Sequence, residues 1–264
     1  MRIRVLAWNT FAALLRNKLI ILLSAGFFCV VVFMMSPILF FKSVASNASQ
    51  QQTMILGLVG IIMSMLSGFG SLLVAWSSAD AVAAEMKSGT ILAVMARPVH
   101  RWEFLLAKFL GVQCLMLAYV LLMFGLSFVL TAIGGARIQS SLWPLIVYPM
   151  VRYTFYGALA MLLVTRMHPV IAFAIVMVTS VIAGAVRPGS LSTAFLPYGF
   201  QQALFYVLPS FDLLSESRFL TITQAQLKAI PWTQHLTVLT YGLDWAAVFF
   251  LLAVVSFRRR PLSL

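Results

Sequence analysis

Charged side chains are scarce in this chain: they make up 9% of its 264 residues, whereas apolar ones make up 62%. A soluble domain carries roughly 25% charge, and a chain this apolar cannot cover a water-facing surface with polar groups. The composition therefore excludes an ordinary soluble fold and indicates that lipid solvates much of the chain. No long stretch has soluble composition, so we expect one transmembrane domain over residues 1–264.

Side chains that intramembrane chemistry needs are also few. His100, His168 and His235 lie in loops or at the ends of apolar runs, and no H-E-x-x-H motif occurs. Cys29 and Cys114 fall inside apolar runs and cannot form a disulfide framework. The chain also has no G-x-x-x-x-G-K-[ST] motif with which to bind ATP. We therefore expect no catalytic residue, no metal ligand and no cofactor in this chain.

Six apolar runs reach or approach the roughly 20 residues that a helix needs to cross a hydrocarbon core. They cover residues 19–41, 54–76, 109–133, 142–164, 169–186 and 238–257. The sequence thus predicts an all-α polytopic membrane protein with six transmembrane helices. Residues 1–18 alternate apolar and basic side chains at near-helical spacing, which predicts an interfacial amphipathic helix. The short link at 165–168 predicts a helical hairpin between the fourth and fifth spans.

Basic residues set the orientation of these spans. With the N-terminus inside, twelve Lys and Arg residues lie on the inner side and five on the outer side. The positive-inside rule then places both termini in the cytoplasm and the chain in the cell's inner membrane. The net charge of +12 is explained by this topology, so we expect no nucleic-acid partner.

Two loops and several span residues are the candidate functional features. Residues 77–108 form the longest inner excursion, and residues 187–237 form an outer loop for which we expect short helices at the interface. Arg152 and Asp244 lie within spans and are candidates for the translocation path. Either they pair in one polar cavity, or carbonyl groups satisfy Arg152 while Asp244 lies near the interface.

Small residues follow two rows of the second span. Gly60, Ser64 and Gly68 recur at four-residue spacing, and close packing of transmembrane helices requires such residues. This row is either an interface with another subunit or ordinary packing within the chain. The second row comprises Ser67, Ser71, Ala75, Ala79 and Ala83.

The inner excursion contains three spaced motifs, which read E-M-K-S-G-T at 85–90, R-P-V-H-R at 97–101 and K-F-L-G at 108–111. They resemble the type-2 ABC exporter permeases, which show E-x-x-x-G-T, P-x-x-R and K-x-x-G entering the third span. The L-P-S-F-D sequence at 208–212 is similar to the subgroup that includes the Nos-type permeases of copper-enzyme maturation.

This resemblance implies a division of labour. Two permease subunits, identical or related, pair with two copies of a separate ATP-binding subunit, which holds ATP and Mg²⁺. Segment 77–108 would contain a coupling helix that docks on the ATPase, with the N-terminal helix as a brace. The coupling residues that the resemblance implies are Glu85, Gly89, Thr90, Arg97, Pro98 and Arg101.

Another functional class stays open. An ATP-independent transporter or channel would be expected to place more ionisable residues at the bilayer midplane, where only Arg152 clearly lies. A neighbouring reading frame for an ATP-binding-cassette subunit would separate the two. The sequence does not specify a substrate, although the apolar, aromatic outer loop suits a lipid, an amphipathic drug or a peptide.

Overall fold

The computed structural model describes residues 2–44, 48–87, 100–135, 143–185 and 231–259. Within these ranges the chain is helical and contains no strand, so the predicted all-α class is confirmed for this part of the chain. The helices are α1 (Arg2–Leu15), α2 (Lys18–Val44), α3 (Ala48–Lys87), α4 (Arg101–Gly134), α5 (Pro144–Val164), α6 (Pro169–Ala185) and α7 (Trp232–Arg259).

Four of these helices, α3, α4, α5 and α7, are long and apolar enough to cross a membrane. A fifth candidate arises if Ile3–Leu15 and Ile20–Cys29, which meet at a bend of 62°, count as one span. The apolar helix Pro169–Ser180 of α6 is shorter than a full crossing. The structure thus supports a multi-pass membrane protein, and the count of six spans stays a prediction.

Two helices extend well beyond the spans that hydropathy predicts. Helix α3 has 40 residues, which corresponds to about 60 Å at the rise of an α-helix. The predicted span ends at residue 76, but Ala79, Ala81 and Ala83 are buried beyond it, and alanine favours continuation of a helix. Helix α4 begins at Arg101, before the predicted span at 109. The described parts of segment 77–108 are therefore the ends of two long helices.

Helix α5 lies at the centre of the bundle, where it contacts α3, α4, α6 and α7. It runs parallel to α7: Trp143 stacks on Trp232 near the start of both helices, with ring centroids 5.4 Å apart. Near the end of both helices, the hydroxyl groups of Thr165 and Ser256 lie 2.8 Å apart. Only four residues separate α5 from α6, and the two helices are in contact.

Helices α3 and α4 run antiparallel. At one end, Gln51 Nε2 donates a hydrogen bond of 3.0 Å to the carbonyl of Gly134. Midway along, the Tyr119 hydroxyl donates to the carbonyl of Leu66 at 2.5 Å. The parallel α5–α7 pair and the antiparallel α3–α4 pair both agree with a chain that crosses a bilayer in alternating directions.

Candidate functional site

An ion pair joins α3 to α4 at the end of the bundle where residues 88–99 connect the two helices. Glu85 lies in the last turn of α3, and its Oε1 contacts Lys108 Nζ, which projects from the second turn of α4. The Lys108 side chain is 10% exposed and that of Glu85 is 25% exposed. Lys108 also lies over the Phe104 ring, 5.6 Å from its centroid. Since removing one partner of a largely buried pair strands the other charge, each residue depends on the other.

The start of α4 is tied to the end of α7. His100 precedes the helix, and its backbone N–H donates to Glu103 Oε2 at 3.1 Å, which satisfies a free donor at the helix terminus. Arg101 Nη1 donates to the backbone carbonyl of Arg258 at 3.1 Å. Arg101, predicted from the resemblance to couple to a partner, therefore contacts another helix of its own chain.

Helix α1 packs on α4 at Gly111. A side-chain Cβ at this position would lie 2.7 Å from the backbone oxygen of Ala7 and 2.7 Å from Thr10 Cβ, so only glycine allows the helices to approach this closely. At the turn between α1 and α2, Asn17 Nδ2 donates to Asp80 Oδ2 of α3 at 2.7 Å. The N-terminal segment thus rests against both long helices, while its predicted position at the membrane interface stays a prediction.

The link between α5 and α6 is fastened to α7 by hydroxyl groups. Thr165 and Ser256 are 2% and 7% exposed, and Arg166 Nε donates to Ser256 Oγ at 3.0 Å. Arg259 lies beside this group and completes the lining of a cleft between the link and α7. We call the contacts at this end of the bundle the basal ring. It consists of the pairs Glu85–Lys108, Arg101–Arg258, Asn17–Asp80 and Arg166–Ser256.

The basal ring contains the residues of the predicted coupling set that the structure describes. Glu85 and Arg101 lie in it, and both contact residues of this chain. The other predicted coupling residues, Gly89, Thr90, Arg97 and Pro98, lie outside the described residues. Two motif residues that were not among the predicted coupling residues, Lys108 and Gly111, have clear structural roles. Their spacing in K-x-x-G was the signal that could have found them.

Arg152 is buried between α5 and α3. It contacts the Ser67 hydroxyl through Nη2, and its Cζ lies 5.3 Å from the centroid of the Tyr153 ring. Tyr153 in turn donates its hydroxyl proton to the Ser67 carbonyl at 3.3 Å. A side chain at Gly70 would collide with that Tyr153 hydroxyl. Arg152 is therefore held inside the bundle, in part by the hydroxyl of a small residue of α3.

The structure does not bring Arg152 and Asp244 together. Gly242 and Ala246 of α7 are buried, whereas Asp244, two positions from each, is exposed. Residues two apart lie on nearly opposite faces of a helix, so Asp244 points away from the bundle. Among the described residues, no ion pair joins it to Arg152. The hypothesis that the two pair is thus not supported, because the face of α7 that carries Asp244 is the outer one.

The two rows of small residues on α3 have different surroundings. Ser67, Ser71, Ala75, Ala79 and Ala83 are all buried against the rest of the chain. In the other row, Ser64 and Gly68 are exposed, and a Cβ at Gly60 or Gly68 would meet no atom within 4 Å. Ordinary packing within the chain therefore accounts for the row that contains Ser67, whereas the role of the row that contains Gly60 stays open.

An aromatic cluster, which was not predicted from the sequence, occupies the end of the bundle opposite the basal ring. His235 is buried, and its Nδ1 lies 2.6 Å from the Tyr148 hydroxyl. Trp143 contacts the His235 ring edge to face, with centroids 5.0 Å apart. The cluster joins the starts of α5 and α7. Within the described ranges, no group of His, Cys, Asp or Glu could hold a metal ion.

Comparison with known proteins identifies the family. No curated protein matches the chain. The family described as ABC-2 family transporter protein matches residues 4–262, which is nearly the whole chain. This match confirms the resemblance to type-2 ABC permeases, whereas the similarity to the Nos-type subgroup stays a prediction. The chain therefore belongs to the ABC-2 transporter family, whose members are the membrane permease subunits of ATP-binding-cassette transporters.

Proposed function

We propose that this chain is the membrane-spanning permease subunit of an ATP-binding-cassette exporter. It forms the translocation path with a second permease subunit, identical or related, and couples to two copies of a separate subunit that binds ATP and Mg²⁺. The observation that carries this proposal is the Glu85–Lys108 ion pair. It clamps together the two helices from which residues 88–99, the rest of the coupling segment, extend.

The length of α3 and α4 gives this clamp a mechanical use. Each helix continues without a break from the basal ring through the bundle. If the ATPase displaces residues 88–99, α3 and α4 would therefore move together along their whole length, rather than only at the ends nearest the ATPase. Coupling requires that docking differ between the two states of the transporter, and the clamp makes both helices respond to that difference together.

The orientation follows from charge at the basal ring. Basic residues from the α1–α2 turn, the start of α4, the α5–α6 link and the end of α7 meet at this end of the bundle; they are Arg16, Lys18, Arg101, Lys108, Arg166, Arg258 and Arg259. The positive-inside rule supports a cytoplasmic location for this end. Both chain termini and residues 88–99 would then face the cytoplasm, as coupling requires.

The exposed row of α3 is the face that we assign to the second permease subunit. Lipid provides no hydrophobic drive for helix pairing, so helices in membranes associate where small residues allow close approach. Gly57, Gly60, Ser64 and Gly68 leave such a shallow surface, and a Cβ at any of the three glycines would meet no atom of the described residues within 4 Å. A second copy packed here would bury the row.

Asp244 marks the face of α7 that we assign to the translocation path. Thr237 and Thr240 are exposed on the same helix, and their hydroxyls donate to backbone carbonyls one turn earlier, at 2.7 and 2.9 Å. These threonines tolerate lipid because their hydroxyls are satisfied, but an exposed carboxylate does not. Water in a path between the two subunits would solvate Asp244.

Reconstitution with the ATP-binding subunit tests this function. In proteoliposomes, the Glu85→Gln complex should hydrolyse ATP with less stimulation by candidate substrates than the wild type, although the subunits still assemble. The Glu103→Gln complex is a matched control, since Glu103 lies in the same region but caps its own helix. Equal stimulation in both variants, or no ATPase activity with any ATP-binding subunit, would favour the ATP-independent alternative.

A further inference from the structure

A cleft of about 350 Å³ opens between the α5–α6 link and the last turn of α7. Its lining consists of two hydroxyl and two guanidinium side chains, from Thr165, Ser256, Arg166 and Arg259. The transport function proposed above does not use this cleft. It lies at the basal ring, where the hydrocarbon-facing part of α7 ends.

The cleft presents positive charge that no carboxylate of the described residues neutralises. Thr165 and Ser256 are buried and bonded to each other at 2.8 Å, and Ser256 accepts from Arg166 Nε at 3.0 Å. This contact orients the Arg166 guanidinium and leaves its Nη1 and Nη2 for another partner. Among the described residues, the one ion pair is Glu85–Lys108, so neither Arg166 nor Arg259 has an acidic partner there.

Two guanidinium groups that line one cleft favour a phosphate group. Guanidinium is planar and binds phosphate oxygens in pairs. The buried hydroxyls hold the Arg166 guanidinium in place: Thr165 donates to the Leu162 carbonyl at 2.7 Å, so Ser256 donates to Thr165 and accepts from Arg166. A phosphate could come from a lipid headgroup or from free anions in solution. The surface that leads away from the cleft distinguishes these sources.

An apolar strip runs from the cleft along α7. Leu251, Leu252 and Val255 are exposed, and they precede Arg259 by eight, seven and four residues, so all four side chains share one face of the helix. Acyl chains could cover this strip while the attached phosphate occupies the cleft. A free anion would leave it uncovered.

We propose that this cleft binds the headgroup of an anionic phospholipid, with Arg166 and Arg259 holding the phosphate and the α7 strip contacting the acyl chains. Basic pockets between transmembrane helices on the cytoplasmic side are suited to such lipids. Assignment to the inner leaflet rests on the orientation proposed above, but binding itself does not depend on it. The bound lipid would fasten the α5–α6 hairpin to α7.

The competing explanation is that these arginines act only by charge. Both lie at the C-terminal ends of helices, where a cation is favourable to the helix dipole, and both contribute to positive-inside orientation. Arg258 satisfies the same two conditions, yet it does not line the cleft. It is therefore the matched control for a specific site.

The test is native mass spectrometry of the full chain in detergent, titrated with phosphatidylglycerol or phosphatidylcholine. We expect a preference for phosphatidylglycerol that weakens about fivefold in Arg166→Gln and in Arg259→Gln, because a basic residue contributes about 1 kcal/mol to anionic-lipid binding. The double variant should weaken about 25-fold if the two contributions add. Arg258→Gln should bind phosphatidylglycerol like the wild type.

Three results would overturn the proposal. They are equal binding of phosphatidylcholine by the wild type, an equal loss in Arg258→Gln, and displacement of phosphatidylglycerol by an equal concentration of inorganic phosphate, which would indicate a free-anion site. Arg166→Lys, which keeps the charge but not the planar fork, covers the case in which the glutamine variants misfold. It should bind more weakly than the wild type, and unchanged binding would contradict a guanidinium-specific site. Because the readout is lipid binding, its failure leaves the transport function untouched.

Discussion

Glu85 of α3 and Lys108 of α4 form an ion pair, and each is the first residue of a motif by which the chain resembles its family. The motifs E-x-x-x-G-T and K-x-x-G lie on opposite sides of residues 91–107 in the sequence, but their charged residues meet in the fold. Gly111, the last residue of the second motif, has no side chain and so allows α1 to pack closely against α4. Residues of both motifs therefore form packing contacts in or beside the basal ring, which gives each motif a structural role.

Breaking this ion pair should destabilise the chain. Replacing Glu85 by Ala leaves Lys108 largely buried without its partner, and we expect a loss of about 1.5–3 kcal/mol, the range for hydrogen bonds to charged groups. Thermal unfolding in detergent, followed by tryptophan fluorescence, measures the change. The exchanged pair, Glu85→Lys with Lys108→Glu, should recover part of the loss. An exchanged pair less stable than both single variants would contradict a simple ion pair.

Gly111 and Gly125, both on α4, form a matched pair for the close approach of α1. Gly111→Ala forces a methyl group against Ala7 and Thr10, so we expect a loss of about 1–3 kcal/mol from overpacking. Gly125→Ala meets no atom of the described residues within 4 Å, and its stability should stay the same or rise by up to about 1 kcal/mol through helix propensity. The same thermal assay applies. Equal destabilisation by both substitutions would show that α1 does not rest on Gly111.

Exchanging the charges of Arg152 and Asp244 should not restore the stability that Arg152→Asp removes. Arg152→Asp places a carboxylate beside Ser67 in the α3–α5 interface, and we expect it to prevent stable folding. Asp244→Arg alone changes an exposed residue and should leave the unfolding temperature nearly unchanged. The double variant should then be no more stable than Arg152→Asp. A recovery of stability in the double variant, measured by the yield of monodisperse protein on gel filtration, would revive the pairing hypothesis.

The exposed row of α3 should cross-link between two copies. In a background with Cys29→Ser and Cys114→Ser, both of which are free cysteines in the native chain, Ser64→Cys should form a disulfide-linked dimer on mild oxidation in membranes. Leu121→Cys is the control, because Leu121 is exposed on α4 near the same level. Cross-linking of the control alone would place the interface on α4 instead.

Hydropathy predicted where the apolar segments lie but not where the helices end. Hydropathy falls after Trp76 because Ser77, Ser78 and Asp80 follow, yet the structure continues α3 to Lys87. Ser77 and Ser78 are buried against the bundle, and burial against protein, rather than lipid, is not visible in a hydropathy scale. The alternation of direction along the chain was predictable, since it follows from the number of crossings.

The contacts of single polar residues depended on helix rotation, which the sequence leaves open. Asp244 and Arg152 both lie within predicted spans, but Gly242 and Ala246 of α7 are buried, so Asp244 lies on the exposed side of the helix. In the same way, both small-residue rows of α3 could have faced the chain. The one that includes Ser67 does so because Arg152 and Tyr153 fill the space beside it.

Affinity purification from native membranes tests the central claim most directly. The tagged wild-type chain, extracted in mild detergent, should purify with an ATP-binding subunit that carries a G-x-x-x-x-G-K-[ST] motif, identified by mass spectrometry. A variant in which the order of residues 88–99 is scrambled, with Glu85 and Lys108 kept, should show the same unfolding temperature but lose that subunit. Retention of the subunit by the scrambled variant, or its absence from the wild-type preparation, would contradict the account.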